Sequence, residues 1–228
     1  EDLAHNEEEL EKLNFAARTE QEMRLLSTSQ SMNTTLSPEL EFTDPLTGLD
    51  TKQIFEIKFI QSRAYARRHH QSFAMFLINI NNFHEVKATL GDEIGSLLLK
   101  TVAVRLQYCK RETDILSRLD ENRFALLVSE ILIGNEVMTV VNKVLKIFDE
   151  KTIINDNKVH INASIGISMY PKDGIELPEL INNAETALTY LSSLSEFENH
   201  RFQIYAPELM RTAFDKKTEK SNSPSALY

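Results

Sequence analysis

Apolar residues recur along this chain in two rhythms, and the points where the rhythm changes mark its elements. From Thr51 to about Arg68, helix formers carry Ile54, Phe55, Ile57, Phe59 and Ile60, which predicts a helix with a broad buried side and Thr51 as its cap. Phe73–Ile80 is almost continuously apolar, as a central strand covered on both faces would be, and it ends in Asn79-Ile80-Asn81-Asn82. Helical spacing returns from Phe83 to about Leu90, breaks at Gly91, and resumes through Ile94, Leu97, Leu98, Val102 and Leu106. Asp114–Leu119 and Phe124–Ser129 then read as two strands joined by the polar turn Asp120-Glu121-Asn122-Arg123, a β-hairpin. Val137, Val140, Val141, Val144, Leu145 and Phe148 predict a helix from Gly134 to Phe148, followed by a turn at Asn155-Asp156-Asn157. Alternation of Val159, Ile161, Ala163, Ile165, Ile167 and Met169 predicts one strand with one buried face. Pro171–Gly174 is a turn, Pro178 starts a last helix to about Leu194, and Arg201–Tyr205 is a short closing strand. That order predicts an α/β (α+β sandwich) fold: a central mixed five-stranded sheet with flanking helices.

The ends differ from this middle. Glu1–Leu26 is rich in helix formers, with Leu3, Leu10 and Ala17 on one heptad seam, and reads either as a short coiled-coil signalling helix or as a solvated helix. Ser27–Ser37 is polar and aperiodic, a linker, so residues 1–43 form an N-terminal helix and linker, 44–206 the folded domain, and 207–228 a polar connector. Net charge is −9, and the first 26 residues supply eight acids against three bases of it. The acidic balance, without a basic run interleaved with aromatics, excludes a nucleic-acid surface. A single cysteine, Cys109, excludes an intrachain disulfide and a CxxC site and points to a reducing, cytoplasmic compartment. No apolar run reaches the length of a membrane span. His69-His70 are neighbours that do not share a helix face and read as a solvated helix end rather than a metal pair.

Several short motifs occur in one order. They are DPLTGL at Asp44–Leu49, FAMFLININNFH ending at His84 with Gly91 and Gly95 behind it, RETDILSRL at Arg111–Leu119, SIGIS at Ser164–Ser168, YPKDG at Tyr170–Gly174, and AETAL at Ala184–Leu188. With them the chain resembles a GGDEF domain, the diguanylate cyclase fold, over about Asp44 to Tyr205. The resemblance implies a domain that, facing a second copy, joins two GTP molecules into cyclic di-GMP. Metal ions would be held by a strand-end aspartate and an acidic residue of the signature turn, and two glycines would let the backbone approach the nucleotide.

Carried over position by position, that chemistry is missing. The strand-end aspartate falls on Asn79 and its companion on Asn81; neutral amides bring no negative charge to a Mg²⁺ site. The two glycines fall on Asp120 and Glu121, which add bulk and negative charge where a triphosphate would lie. The metal and acid positions fall on Asn122 and Arg123, leaving Phe124 alone of the signature. Guanine-reading positions fall on Lys87 and Ser96, the phosphate lysine on Ser192 and the arginine beyond it on Glu196. The expectation is therefore no catalytic residues, no metal, no cofactor and no cyclase activity.

Upstream of the turn, Arg111 and Asp114 match the family's R-x-x-D inhibitory motif, with Lys143 nearest to the place of an additional basic residue. An arginine fork can hold phosphate or a guanine edge and an aspartate can accept guanine N–H groups, so cyclic di-GMP binding is one reading and a local ion pair is the other. The resemblance implies a relay domain in bacterial cyclic di-GMP signalling, beside a sensor and an EAL domain, as a homodimer. The alternatives are a cyclic di-GMP or GTP sensor and a pure interaction module.

Overall fold

The apolar run beginning at Phe73 becomes the middle of the sheet. In the computed structural model, which describes residues 42–131, 134–194 and 201–208, β1 spans Ser72–Ile80 and lies third in a five-stranded sheet. The order is β2 (Ile115–Arg118), β3 (Arg123–Ile131), β1, β6 (Ala163–Tyr170) and β7 (Phe202–Ile204). β1 is antiparallel to both neighbours and β7 is parallel to β6, so the sheet is mixed as predicted. Among the described residues five helices accompany it: α1 (Lys52–His69), α2 (Phe83–Leu90), α3 (Asp92–Cys109), α4 (Gly134–Asp149) and α5 (Leu177–Ser193). The predicted N-terminal helix and linker, Glu196 and the connector beyond Glu208 lie outside the described residues.

Alternation along β1 divides its side chains between two cores. Ala74, Phe76, Ile78 and Ile80 join Leu98, Val102 and Leu106 of α3 and Val141, Val144 and Phe148 of α4. Phe73 and Met75 point the other way, to Phe55 and Phe59 of α1 and Leu177 and Leu180 of α5. Burying each such large side chain contributes about 1.5–3 kcal/mol, and a strand covered on both faces collects this at every position. The second core is aromatic in its details: Phe73 stacks on Tyr170 at 4.6 Å and meets Phe59 edge-on at 5.7 Å.

Four local expectations change. α1 buries a narrower side than its composition suggests, because Ile57 and Ile60 are 51% and 57% exposed. At about 100° per residue they lie roughly 200° and 140° round the helix from Phe55, so they cannot face the sheet together with it. Thr51 occupies the N-cap position of α1 without a side-chain capping bond. The strand expected from Val159 to Met169 is divided: β4 (Thr152–Ile154) and β5 (Asn157–Val159) form a separate hairpin, and β6 starts afresh at Ala163. Asn155 and Asp156, at φ 45° and 64°, supply the left-handed turn that hairpin requires. Finally, β6 is buried on both faces. A Cβ on Gly166 would lie 2.1 Å from the Ala184 carbonyl oxygen, so only glycine lets α5 approach this closely.

Arg105, embedded in the apolar spacing of α3, is 6% exposed. Its guanidinium donates to the Ile147 carbonyl at 3.1 Å and to Thr152 Oγ1 at 2.9 Å, satisfying the end of α4 and fastening β4 to it. None of the described helices is long and apolar enough to cross a membrane.

Candidate functional site

Because β1 is antiparallel to both β3 and β6, its C-terminal end meets the starts of its two neighbours. Asn79 is in register with Arg123 on one side and Ser164 on the other. The side chains here bond to one another. Asn122 Nδ2 donates to Asn79 Oδ1 at 3.2 Å and to the Ile80 carbonyl at 3.0 Å. Asn79 Nδ2 donates to Asn81 Oδ1 at 2.8 Å, and Asn81 Nδ2 continues to Ser164 Oγ at 2.8 Å and Asn162 Oδ1 at 3.1 Å. Asn82 closes the far end, donating to the His160 carbonyl at 2.7 Å and accepting from the Asn162 amide at 3.0 Å. This is a neutral amide network with its donors and acceptors matched to each other. A magnesium-type cation needs anionic oxygens that point to a common centre, and these residues do not fit one. Among the described residues no group of three or more His, Cys, Asp or Glu is arranged to hold a metal.

The turn above the network is held by ion pairs. Arg118, which closes β2, donates Nε to the Asp120 carbonyl at 2.9 Å and Nη2 to the Glu121 carbonyl at 2.8 Å. Its Nη1 reaches both oxygens of Asp44 at 3.1 Å, with side chains only 12% and 19% exposed. Asp44 also accepts from the amide of Thr47 at 2.8 Å and from its hydroxyl at 2.6 Å. Burial alone would push the Asp44 carboxyl up; the Thr47 bonds and the Arg118 guanidinium outweigh it and hold the carboxyl below its ordinary value. Arg123 binds Asp120 within the turn at 2.5 Å and Glu185 of α5 at 2.7 Å. Those bonds, led by the one from Asp120, raise the Arg123 pKa further above its ordinary value.

Lys87 on α2 donates to Glu121 at 3.2 Å and lies 3.5 Å from Asp92. The Glu121 bond first, then the charge of Asp92, hold its ammonium above the usual lysine value. So Lys87 and Glu121, which stand where the resemblance puts base and phosphate contacts, neutralise each other. Ser192 hydrogen-bonds back to the Leu188 carbonyl of its own helix at 3.1 Å, and Ser96 lies half-buried on α3.

Arg111 and Asp114 adjoin the start of β2. Asp114 is 6% exposed; its Oδ2 accepts the Arg111 amide at 2.8 Å and its Oδ1 accepts the Ser129 amide at 3.1 Å. The carboxylate thus shapes the turn and pins it to β3. The Arg111 side chain is exposed. Lys143 of α4 donates to the Cys109 carbonyl at 2.6 Å and so caps α3. Burial pushes the Cys109 thiol up, against the charge of that lysine. Arg118 and Glu185 were not singled out by sequence reasoning: they lie inside RETDILSRL and AETAL, at positions to which the resemblance carries no ligand contact, and their partners are distant in the chain. The one legible signal was opposite charge within two recognised motifs, Asp44 in DPLTGL and Arg118 in RETDILSRL.

The profile described as "Diguanylate cyclase, GGDEF domain" matches residues 41–193. Among curated proteins, the bifunctional diguanylate cyclase/cyclic di-GMP phosphodiesterase MucR of Pseudomonas aeruginosa is 31% identical over 172 residues, covering 75% of this chain and 25% of MucR. The cyclic di-GMP phosphodiesterase NbdA of the same species is 28% identical over 145 residues, covering 64% of this chain and 18% of NbdA. This chain therefore spans a quarter or less of the length of these relatives. Among solved structures, the GGDEF domain of TpbB (YfiN) from P. aeruginosa superposes with a TM-score of 0.69 at 22% identity, covering 75% of this chain and 98% of that one. The GGDEF domain of DgcB from Caulobacter crescentus, solved in complex with c-di-GMP, gives 0.63 at 17% identity over 75% and 98% of the two chains. The sheet order, the strand-end position of Asn79 and the hairpin turn at Asp120–Arg123 are thus read in their family setting: this chain belongs to the GGDEF, diguanylate cyclase family.

Proposed function

We propose that this domain does not synthesise cyclic di-GMP and serves as a regulatory relay within a larger cytoplasmic cyclic di-GMP signalling protein. The observation that carries the reading is the closure of the strand-end shelf upon itself. Asn79, Asn81 and Asn122 satisfy one another, while Lys87 with Glu121 and Arg123 with Glu185 spend the nearby charges on internal pairs. A triphosphate entering here would meet the carboxylates of Asp120 and Glu121, and no carboxylate stands at Asn79, Asn81 or Asn122 to hold its metal. The bifunctional name of MucR supports a setting in which a phosphodiesterase domain accompanies this one, with a sensor supplying the input.

Incubation of the full chain with GTP and either Mg²⁺ or Mn²⁺, followed by chromatography of the nucleotides, tests the first half. Unchanged GTP is expected, and cyclic di-GMP above the level of a no-protein control overturns the proposal.

A second reading, recognition of cyclic di-GMP at Arg111, rests on that exposed guanidinium. Against it, both Asp114 oxygens already accept backbone amides and the Lys143 ammonium already binds a carbonyl, so the turn reads as structural. Calorimetric titration with cyclic di-GMP decides the matter: binding lost in Arg111→Ala restores the sensor reading, and no binding leaves the relay.

A further inference from the structure

The loop through which the chain enters the domain is bonded, through Arg118, to the signature turn. That loop starts at Phe42 and is closed on itself. Thr43 bridges Asp50, and the Thr51 amide donates to the Phe42 carbonyl at 3.1 Å. Inside it, the Asp44 amide donates to the Leu49 carbonyl at 2.7 Å and the Gly48 amide to the Asp44 carbonyl at 2.8 Å. Gly48, at φ 70°, supplies the left-handed residue of the tight return. The two sides of the loop cannot part without breaking these bonds.

Arg118 holds the loop by main chain and by side chain. Its amide donates to the Asp50 carbonyl at 3.0 Å, and its Nη1 reaches both oxygens of Asp44. Nε and Nη2 of the same group hold the Asp120 and Glu121 carbonyls. A guanidinium is planar and presents its N–H groups in a fixed fork, so it cannot follow one partner and keep its alignment to the others. If the Asp44 carboxylate moves, the bonds to the turn are bent with it, and bent hydrogen bonds weaken steeply. Asp44 is in turn aimed by Thr47, whose amide and hydroxyl both donate to it.

We propose that Arg118 is a strap through which the position of the entry loop sets the conformation of the signature turn. A movement of the chain arriving at Phe42 is delivered at Asp120 and Glu121, whose side chains are exposed. The inference rests on the relay reading and gives the relay its route within this domain.

Thr47→Val in the full chain tests this, because valine keeps the shape of threonine and removes the hydroxyl bond to Asp44 without touching the turn. Hydrogen exchange is followed by NMR at the amides of Leu119 and Arg123, which donate to the Arg123 carbonyl at 2.9 Å and to Asp120 Oδ1 at 3.1 Å. In Thr47→Val these accelerate at least about threefold more than the amides of β1, which report on the sheet as a whole. Thr47→Ser, with its hydroxyl, keeps the wild-type rates. In an Arg118→Lys background, which keeps the charge and loses the fork, Thr47→Val gives the turn no excess acceleration over β1. The proposal is overturned if Thr47→Val accelerates the turn and β1 equally in the otherwise wild-type chain, or if the excess persists with Arg118→Lys. Should Arg118→Lys fail to fold by circular dichroism, the Thr47 pair decides: excess acceleration in valine that is absent in serine supports the strap, and equal acceleration sinks it. No nucleotide enters this measurement, so it and the GTP assay fail separately. Cyclic di-GMP formed by a chain whose turn follows Thr47 removes the inactive reading and leaves the strap; unchanged GTP with an indifferent turn does the reverse.

Discussion

The two ends of β3 solve the problem of charge in opposite ways. At the turn end, Arg118 is saturated by Asp44 and two carbonyls, Arg123 is shared between Asp120 and Glu185, and Glu121 is matched by Lys87. At the bulge end, where β1 and β3 fall out of step between Ser72 and Ala74, Glu130 sits in a left-handed backbone with its side chain exposed to water, and no ion pair joins it to another of the described residues. The polar groups of the turn form a satisfied network, because polar groups withdrawn from water without partners are costly. At the bulge the unfavourable feature is the backbone alone, because water satisfies the exposed carboxylate. The end named by the motif is thus sealed, and the end without a motif is open.

The seal is strongest where it is most buried. Arg118→Leu leaves the Asp44 carboxylate and the Asp120 and Glu121 carbonyls without their donor, at a cost of about 3 kcal/mol in urea unfolding. A loss under about 1 kcal/mol would show that the turn holds its shape without this clamp. Asp44→Asn costs less, about 1–2 kcal/mol, since an amide oxygen still accepts from Thr47. It also changes the acid limb. The folded Asp44 pKa is lowered, so its contribution is present above the unfolded carboxylate value and is lost as pH falls through the folded value. Wild type should therefore lose stability in that acid window more steeply than Asp44→Asn, and parallel acid titrations of the two would refute the assignment.

At the open end the expected sign reverses. Glu130→Gly should gain about 1 kcal/mol, because a left-handed residue with a Cβ costs roughly that much. A loss of stability on denaturant unfolding would mean that the carboxylate contributes to folding after all, and the contrast between the two ends would fail.

Much of this was legible beforehand, and the division between what was and was not is physical. β1 and the helices follow from apolar spacing, which is a local property, and the order of motifs located Asn79 and the signature turn. The Asp44–Arg118 pair joins residues 74 apart, and no local pattern reports which distant charges meet. Nor could sequence show that Asp114 turns its carboxylate inward to the amides of Arg111 and Ser129, since R-x-x-D is the same string whether it binds a ligand or shapes a turn. The hairpin of β4 and β5 was absorbed into one alternating run because Val159, Ile161 and Ala163 keep the parity of a strand across the break. The bulge left no trace at all: Glu130 carries a φ that its residue type disfavours.

The smallest effect belongs to the outermost pair, and it separates two accounts of the seal. Lys87 and Glu121 are joined at 3.2 Å with side chains 40% and 51% exposed, so water and salt screen them and their rotamers are costly to fix. If the turn is closed by its buried clamp, Lys87→Met and Glu121→Gln should each leave the unfolding midpoint close to wild type. A double-mutant cycle should then give a coupling that vanishes in high salt. If the rim pair closes the turn, the cycle keeps its coupling in salt, and hydrogen exchange at the Glu121 and Asn122 amides accelerates in either single variant. The first outcome places closure in the Arg118–Asp44 contact, where a charge is withdrawn from solvent and cannot be screened; the second would move it to the edge and make the turn sensitive to ionic strength.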